Sequence, residues 1–261
     1  DLARLPAVSR AMRDAVAATG LRFEELDEDD AVDLGCLSAV QRLQRGGRLS
    51  HQEYLCRTAA RGGHLEKLQE FRANSRPWGV MTCAMAAGHG HLEVLQWLRT
   101  NGCPWDVMTC MYAAKGGHLE VLQWARANGC LWNEWTCAKA AEGGRLEVLQ
   151  WARANDCPWD ENTCTWAAEA GHLEVLQWAR ANGCPWDSWT VDGTAYGGHL
   201  EILQWARANG CPWNQYTCLH AAEAGHLDIL AWLRAQGCPE SSGHSEDNSE
   251  DESEFTDDVS D

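Results

Sequence analysis

No apolar stretch in this chain is long or unbroken enough to cross a membrane. No secretory signal is visible. Lys and Arg nowhere gather into the basic face that nucleic acid would require. The signatures of catalysis are missing as well: there is no Gly-rich phosphate loop, no nucleophile elbow and no helical His-Glu-x-x-His. The 13 cysteines never fall in the close Cys-x-x-Cys pairs that hold zinc. These absences argue against an enzyme, a membrane protein and a nucleic-acid binder. They leave no catalytic residue, metal ligand or cofactor site to assign.

The chain does carry a net charge of −17, and that charge is localised. Seven acids and no base lie in Phe23–Asp33, and ten acids and no base in Glu240–Asp261. The remainder is neutral overall. The tail Glu240–Asp261, mostly Ser, Glu and Asp, has too little apolar surface to fold and is expected to be disordered. Ser249 within it would suit an acidophilic kinase; a purely solubilising tail is the plainer reading.

A unit of 27 residues repeats through most of the chain. Its marker is Gly-His-Leu-Glu, then an apolar run and Gln-Trp. The His falls at His64, His91, His118, His172, His199 and His226, with Arg145 in the one gap. Seven copies in register predict a solenoid of stacked units, an architecture that generally offers a binding surface. All cysteines but Cys36 recur at two sites of the unit. One ladder is Cys103, Cys130, Cys157, Cys184, Cys211 and Cys238. The other is Cys56, Cys83, Cys110, Cys137, Cys164 and Cys218, with Val191 in one copy. A position that Val can fill belongs to a small core hydrophobe, so both ladders read as reduced, buried thiols of a cytoplasmic or nuclear protein. A disulfide ladder is the alternative.

Two short helices fit each unit. Asp106 and its equivalents Asn133, Asp160, Asp187 and Asn214 are expected N-caps of the first helix. Gly116-Gly117 separates the helices. Leu119, Leu122 and Ala125 form the buried stripe of the second, and Asn128-Gly129 closes it. Asp156 replaces the closing Gly in one unit, where the left-handed conformation suits Asp less well. Twelve of the 15 Trp form two further ladders, read as packing between units: Trp97, Trp124, Trp151, Trp178, Trp205 and Trp232 in the second helix, and Trp78, Trp105, Trp132, Trp159, Trp186 and Trp213 in the link.

Thr109-Cys110…Ala113-Ala114, Gly117-His118-Leu119-Glu120-Val121 and Asn128-Gly129 resemble the ankyrin repeat. The resemblance runs from Tyr54 to about Cys238. It lacks the family's Pro-Leu-His, and its period of 27 is shorter than the family's roughly 33. The shortfall lies between Gly129 and the next Thr, where the family builds a projecting hairpin. The resemblance therefore implies an all-α, ankyrin-like solenoid of about seven helix-turn-helix repeats whose hairpins are reduced to tight turns. In such units the His opens the second helix, where it can bridge neighbouring backbones. That structural role stands against a metal or redox role for the His and Cys ladders. Residues 1–50 depart from the repeat and read as a helical cap, followed by the array at 51–239 and the tail at 240–261. Leu5–Val16 resembles the C-terminal half of an F-box, which would imply a substrate-recognition subunit of a ubiquitin ligase; a capping helix is the alternative. Ala31–Gln44 reads as a further capping helix.

Within the first helix, positions 0, +1, +4 and +5 from the Thr barely change and should face the core. Positions −1, +3 and +6 share another face and vary. They read Met81, Met85, Gly88; Met108, Tyr112, Lys115; Trp135, Lys139, Glu142; Asn162, Trp166, Glu169; Trp189, Gly193, Tyr196; and Tyr216, His220, Glu223. Stacked units would align them in an aromatic stripe on the concave wall, of a composition that dominates binding hot spots. All but Met81, Met85, Gly88, Gly193 and Glu223 are the expected contacts for a protein partner of a monomeric, non-enzymatic scaffold. The alternative is that these side chains pack on one another. Asp192-Gly193 breaks the pattern of one first helix and marks a candidate local pocket.

Overall fold

The computed structural model describes residues 27–239. The F-box-like segment Leu5–Val16 and the tail Glu240–Asp261 lie outside the described residues. Among the described residues there are 16 helices and no strand. Two short helices, α1 (Glu28–Asp33) and α2 (Leu37–Arg45), lead into seven pairs. These are α3 (Tyr54–Arg61) with α4 (Leu65–Ala73), α5 (Val80–Gly88) with α6 (Leu92–Thr100), and α7 (Val107–Gly116) with α8 (Leu119–Ala127). They continue as α9 (Glu134–Glu142) with α10 (Leu146–Ala154), and α11 (Glu161–Glu169) with α12 (Leu173–Ala181). The last are α13 (Ser188–Gly197) with α14 (Leu200–Ala208), and α15 (Tyr216–Glu223) with α16 (Leu227–Ala235).

The pairs form where the repeat supplies stops and starts. Asp106, Asp160 and Asp187 each accept a backbone N–H of the first helix, from Met108, Asn162 and Trp189. Asn214 does the same for Tyr216 at 2.7 Å. Asn133 is the exception to the expected capping: it sits at the N-cap with no side-chain bond, and its buried Oδ1 has no partner. Gly117, at φ 83°, ends α7 in the left-handed region, where a Cβ would be strained. Gly129 does the same after α8. Asp156 adopts that conformation too, at φ 63°. The links are short and extended, and among the described residues no strand or hairpin projects from them.

The first helices bury positions 0, +1, +4 and +5, except that Ala222 of the terminal α15 is exposed: Thr109, Cys110, Ala113 and Ala114 are fully buried, and so are their equivalents in α9 and α11. Each second helix buries its central Leu, from Leu68 through Leu95, Leu122, Leu149 and Leu176 to Leu203. Each such Leu contributes roughly 1.5–3 kcal/mol of transfer free energy. The small residues on the first helices let consecutive members of that layer, α5 on α7 and α7 on α9, pack directly along their length. Consecutive second helices, carrying Leu and Trp, stand farther apart.

Two expectations are corrected. Ala31–Gln44 is not one helix but two, broken at Gly35, which sits at φ 68°. Cys36 then opens α2 with φ −82° and ψ 75°, matching His64 at −82° and 74°. The segment before the array is thus a worn helix pair of the same kind, with Cys36 in the place of the repeat's His. The second correction concerns the thiols. All are free and buried, but the two ladders differ in role. The link thiols donate to the backbone oxygen of the residue that opens their own unit: Cys130 to Asp106 at 3.2 Å, Cys184 to Asp160 and Cys211 to Asp187 at 3.3 Å. They close each unit on itself and are more than small hydrophobes. The helix ladder, where Val191 is found, packs against the link thiols, and Cys137 also donates weakly to the Cys157 carbonyl at 3.9 Å.

Candidate protein-binding surface

The repeated histidines are spent on the stack. His91 Nε2 lies 3.0 Å from the carbonyl oxygen of Arg61, His172 Nε2 3.1 Å from that of Glu142, and His199 Nε2 3.0 Å from that of Glu169. Each ring reaches back to the end of the first helix of the preceding unit and satisfies a carbonyl that helix leaves open. Arg145 does the same job, donating from Nε to Lys115 at 3.3 Å. No three His, Cys, Asp or Glu side chains among the described residues converge as a metal site would require.

The Trp ladders pack differently from a simple stack between units. Trp105 meets Trp124 of its own unit edge to face, with centroids 5.8 Å apart. The bridge between units is an arginine: Arg99 of the preceding unit lies 4.1 Å over the Trp105 ring and donates to the Cys103 carbonyl. Arg126 on Trp132, Arg153 on Trp159 and Arg180 on Trp186 repeat the arrangement. Sequence reasoning missed this ladder, although its signal was present: an Arg six residues before every link Trp from Arg72 onward.

The expected contact residues lie on the first-helix layer. Trp189 is 60% exposed, Tyr196 55%, Tyr216 48% and Trp135 37%. Some of the stripe packs within the array. Trp135 and Trp166 meet at 4.9 Å between centroids. Lys139 Nζ stands 3.9 Å over the Trp166 ring, and Glu142 pairs with both Lys139 and Lys115 at 2.6 Å. Trp189 stacks on His220 at 6.2 Å. Met108 and Tyr112 are half-buried, and Tyr112 folds over Gly88, where an added Cβ would come within 3.1 Å of it. Asn162 is drawn into capping, with Nδ2 donating to Asp160 at 2.9 Å. Glu169 stays exposed.

The break at Asp192-Gly193 does open a pocket, a cleft of about 320 Å³. At +3 the other repeats carry Met85, Tyr112, Lys139, Trp166 and His220, whereas Gly193 leaves the place empty. Trp189, Tyr196 and His220 wall the gap, together with Glu169 and Glu223 from the flanking units. Asp192 is buried at its floor, where it accepts from Thr217 Oγ1 and from Asn214 Nδ2 at 3.3 Å. Burial raises its pKa above the usual value, against the opposing pull of the Thr217 hydroxyl and His220. Asp192 was noted in the sequence for breaking the pattern, and Glu223 lay in the stripe, but neither was assigned a contact role.

Residues 81–126 match the family model of ankyrin repeats in many copies. The chain contains ankyrin repeats. The 27-residue register carries the matched unit through the rest of the array, since the same Thr, Ala, His and Leu recur at nearly every step, with Arg145 for His in one copy. Among solved structures, the human ASB11 ankyrin repeat domain is similar at 14% identity and a TM-score of 0.48, over 68% of this chain and 96% of that one. No curated protein matches the sequence. Ankyrin arrays indicate a protein–protein interaction scaffold.

Proposed function

We propose that the array binds a protein partner on the concave wall formed by its first helices, without catalysing a reaction. The observation that carries this reading is the run of exposed aromatics, Trp135, Trp189, Tyr196 and Tyr216, on one layer of a rigid stack. Large apolar rings left in solvent are costly to keep on a surface that binds nothing. The close packing of consecutive first helices against the wider spacing of the second helices favours curvature toward the stripe. A preformed array loses little conformational freedom on binding, so aromatic burial is converted into affinity efficiently. The free thiols fit a reducing compartment, the cytoplasm or nucleus. Quantitative affinity purification tests the reading by comparing the native chain with a Trp189→Ala, Tyr196→Ala, Tyr216→Ala variant. Loss of specific partners supports it, and an unchanged set overturns it.

A further inference from the structure

We propose that the cleft at Gly193 takes the side chain of a lysine from the partner. The inference rests on the reading of the stripe as a protein-binding surface and names the chemistry at one point of it.

The array contains its own precedent. At Lys139 the +3 position carries an ammonium. That group lies against the Trp166 ring at 3.9 Å and against the Glu142 carboxylate at 2.6 Å. Two units later the same position is Gly193; there His220 and Tyr196 stand where Trp166 and Glu142 stand around Lys139, so the lysine is missing while rings still flank its place and the carboxylates come from other positions. An aromatic wall is present in Trp189, Tyr196 and His220, and carboxylates are present in Glu169 and Glu223. Among the described residues, Glu142 takes both neighbouring lysines, whereas neither Glu169 nor Glu223 is in an ion pair. The cleft is therefore a place for a cation that the chain itself does not fill. Ring faces attract an ammonium through their quadrupole, and the carboxylates add charge complementarity. The volume of about 320 Å³ accommodates a lysyl chain lying along the rings. Gly193 is what keeps it open: even a Cβ there would stand 3.3 Å from the Cβ of Glu169.

The test is an NMR titration of the full chain with Nα-acetyl-lysine methylamide as probe. The signals followed are the Gly193 amide and the Trp189 indole. Saturable shifts are expected, with affinity at least about tenfold higher than for the norleucine derivative, which has the same chain without the charge. A Glu169→Gln, Glu223→Gln variant should weaken the lysine probe by about tenfold. A Gly193→Met variant restores a side chain to +3 and should abolish the shifts while leaving the helical circular dichroism intact. No saturable shift, equal binding of the norleucine derivative, tighter binding of the arginine derivative, or binding that survives Gly193→Met would each overturn the proposal. Its failure is separable from that of the stripe. Partners lost from the aromatic variant without a lysine-dependent shift would refute the cleft alone, and a lysine-dependent shift with unchanged partners would refute the stripe alone.

Discussion

Arg145 Nε donates to the carbonyl oxygen of Lys115 at 3.3 Å, in the place where His172 Nε2 meets the carbonyl oxygen of Glu142 at 3.1 Å. One function, tying a second helix to the first helix of the preceding unit, is thus met by two side chains that share only a properly placed N–H. Arg145→His should therefore leave stability within about 0.5 kcal/mol of the native chain. Arg145→Ala should cost about 1 kcal/mol, the net worth of the bond. Urea unfolding midpoints check both values.

The link tryptophans depend on their arginines. Arg126→Ala removes the guanidinium 4.1 Å over Trp132 and the bond to the Cys130 carbonyl, and should cost about 1–2 kcal/mol. Arg126→Lys should recover little of this, since an ammonium has no planar face to lie on the indole. Denaturant titration of the three chains reads the difference directly.

Cys164 and Cys184 belong to one unit and separate the two thiol roles. Cys164→Val reproduces what Val191 already does and should change stability by less than about 0.5 kcal/mol. Cys184→Val strips the donor from the Asp160 carbonyl and should cost about 1 kcal/mol. Equal effects at the two sites would reduce the link thiols to packing.

Acid should weaken the fold through His118. Burial lowers its pKa below the ordinary 6.5, against the raising effect of its bond to the Gly88 backbone. The unfolded chain then takes up the proton first as pH falls, so the stabilisation is full above the ordinary histidine value and is lost below it. Stability should fall between about pH 7 and about pH 5. His118→Arg, copying Arg145, should shrink that slope. Thermal melts across the range would show an unchanged slope if His118 were not the cause.

Much of this was legible in the chain. The mostly small residues that barely change at the positions of Thr109, Cys110, Ala113 and Ala114 announced the packed face, because small side chains allow helices to lie so close. The replacement of His by Arg145 pointed away from metal and toward a hydrogen bond. What escaped was what repeats hide. When every unit carries the same Arg and Trp, sequence periodicity cannot tell contact within a unit from contact between units, so the bridge from Arg99 to Trp105 needed coordinates. The two thiol ladders looked alike apart from Val191, and the bond that distinguishes them runs to a backbone atom with no sequence signature. The cleft was signalled only by a missing side chain at Gly193; its depth depends on neighbours one unit away on either side.

The most direct test of the account is partner recovery by two altered chains against the native one. In the first, Trp189, Tyr196 and Tyr216 become Ala; in the second, Arg126, Arg153 and Arg180 on the second helices become Ala. Circular dichroism is used to confirm that both are folded. The account predicts that specific partners vanish from the first chain and persist with the second. Partner lists that match between the native chain and the first variant, or that are lost only with the second, would contradict it.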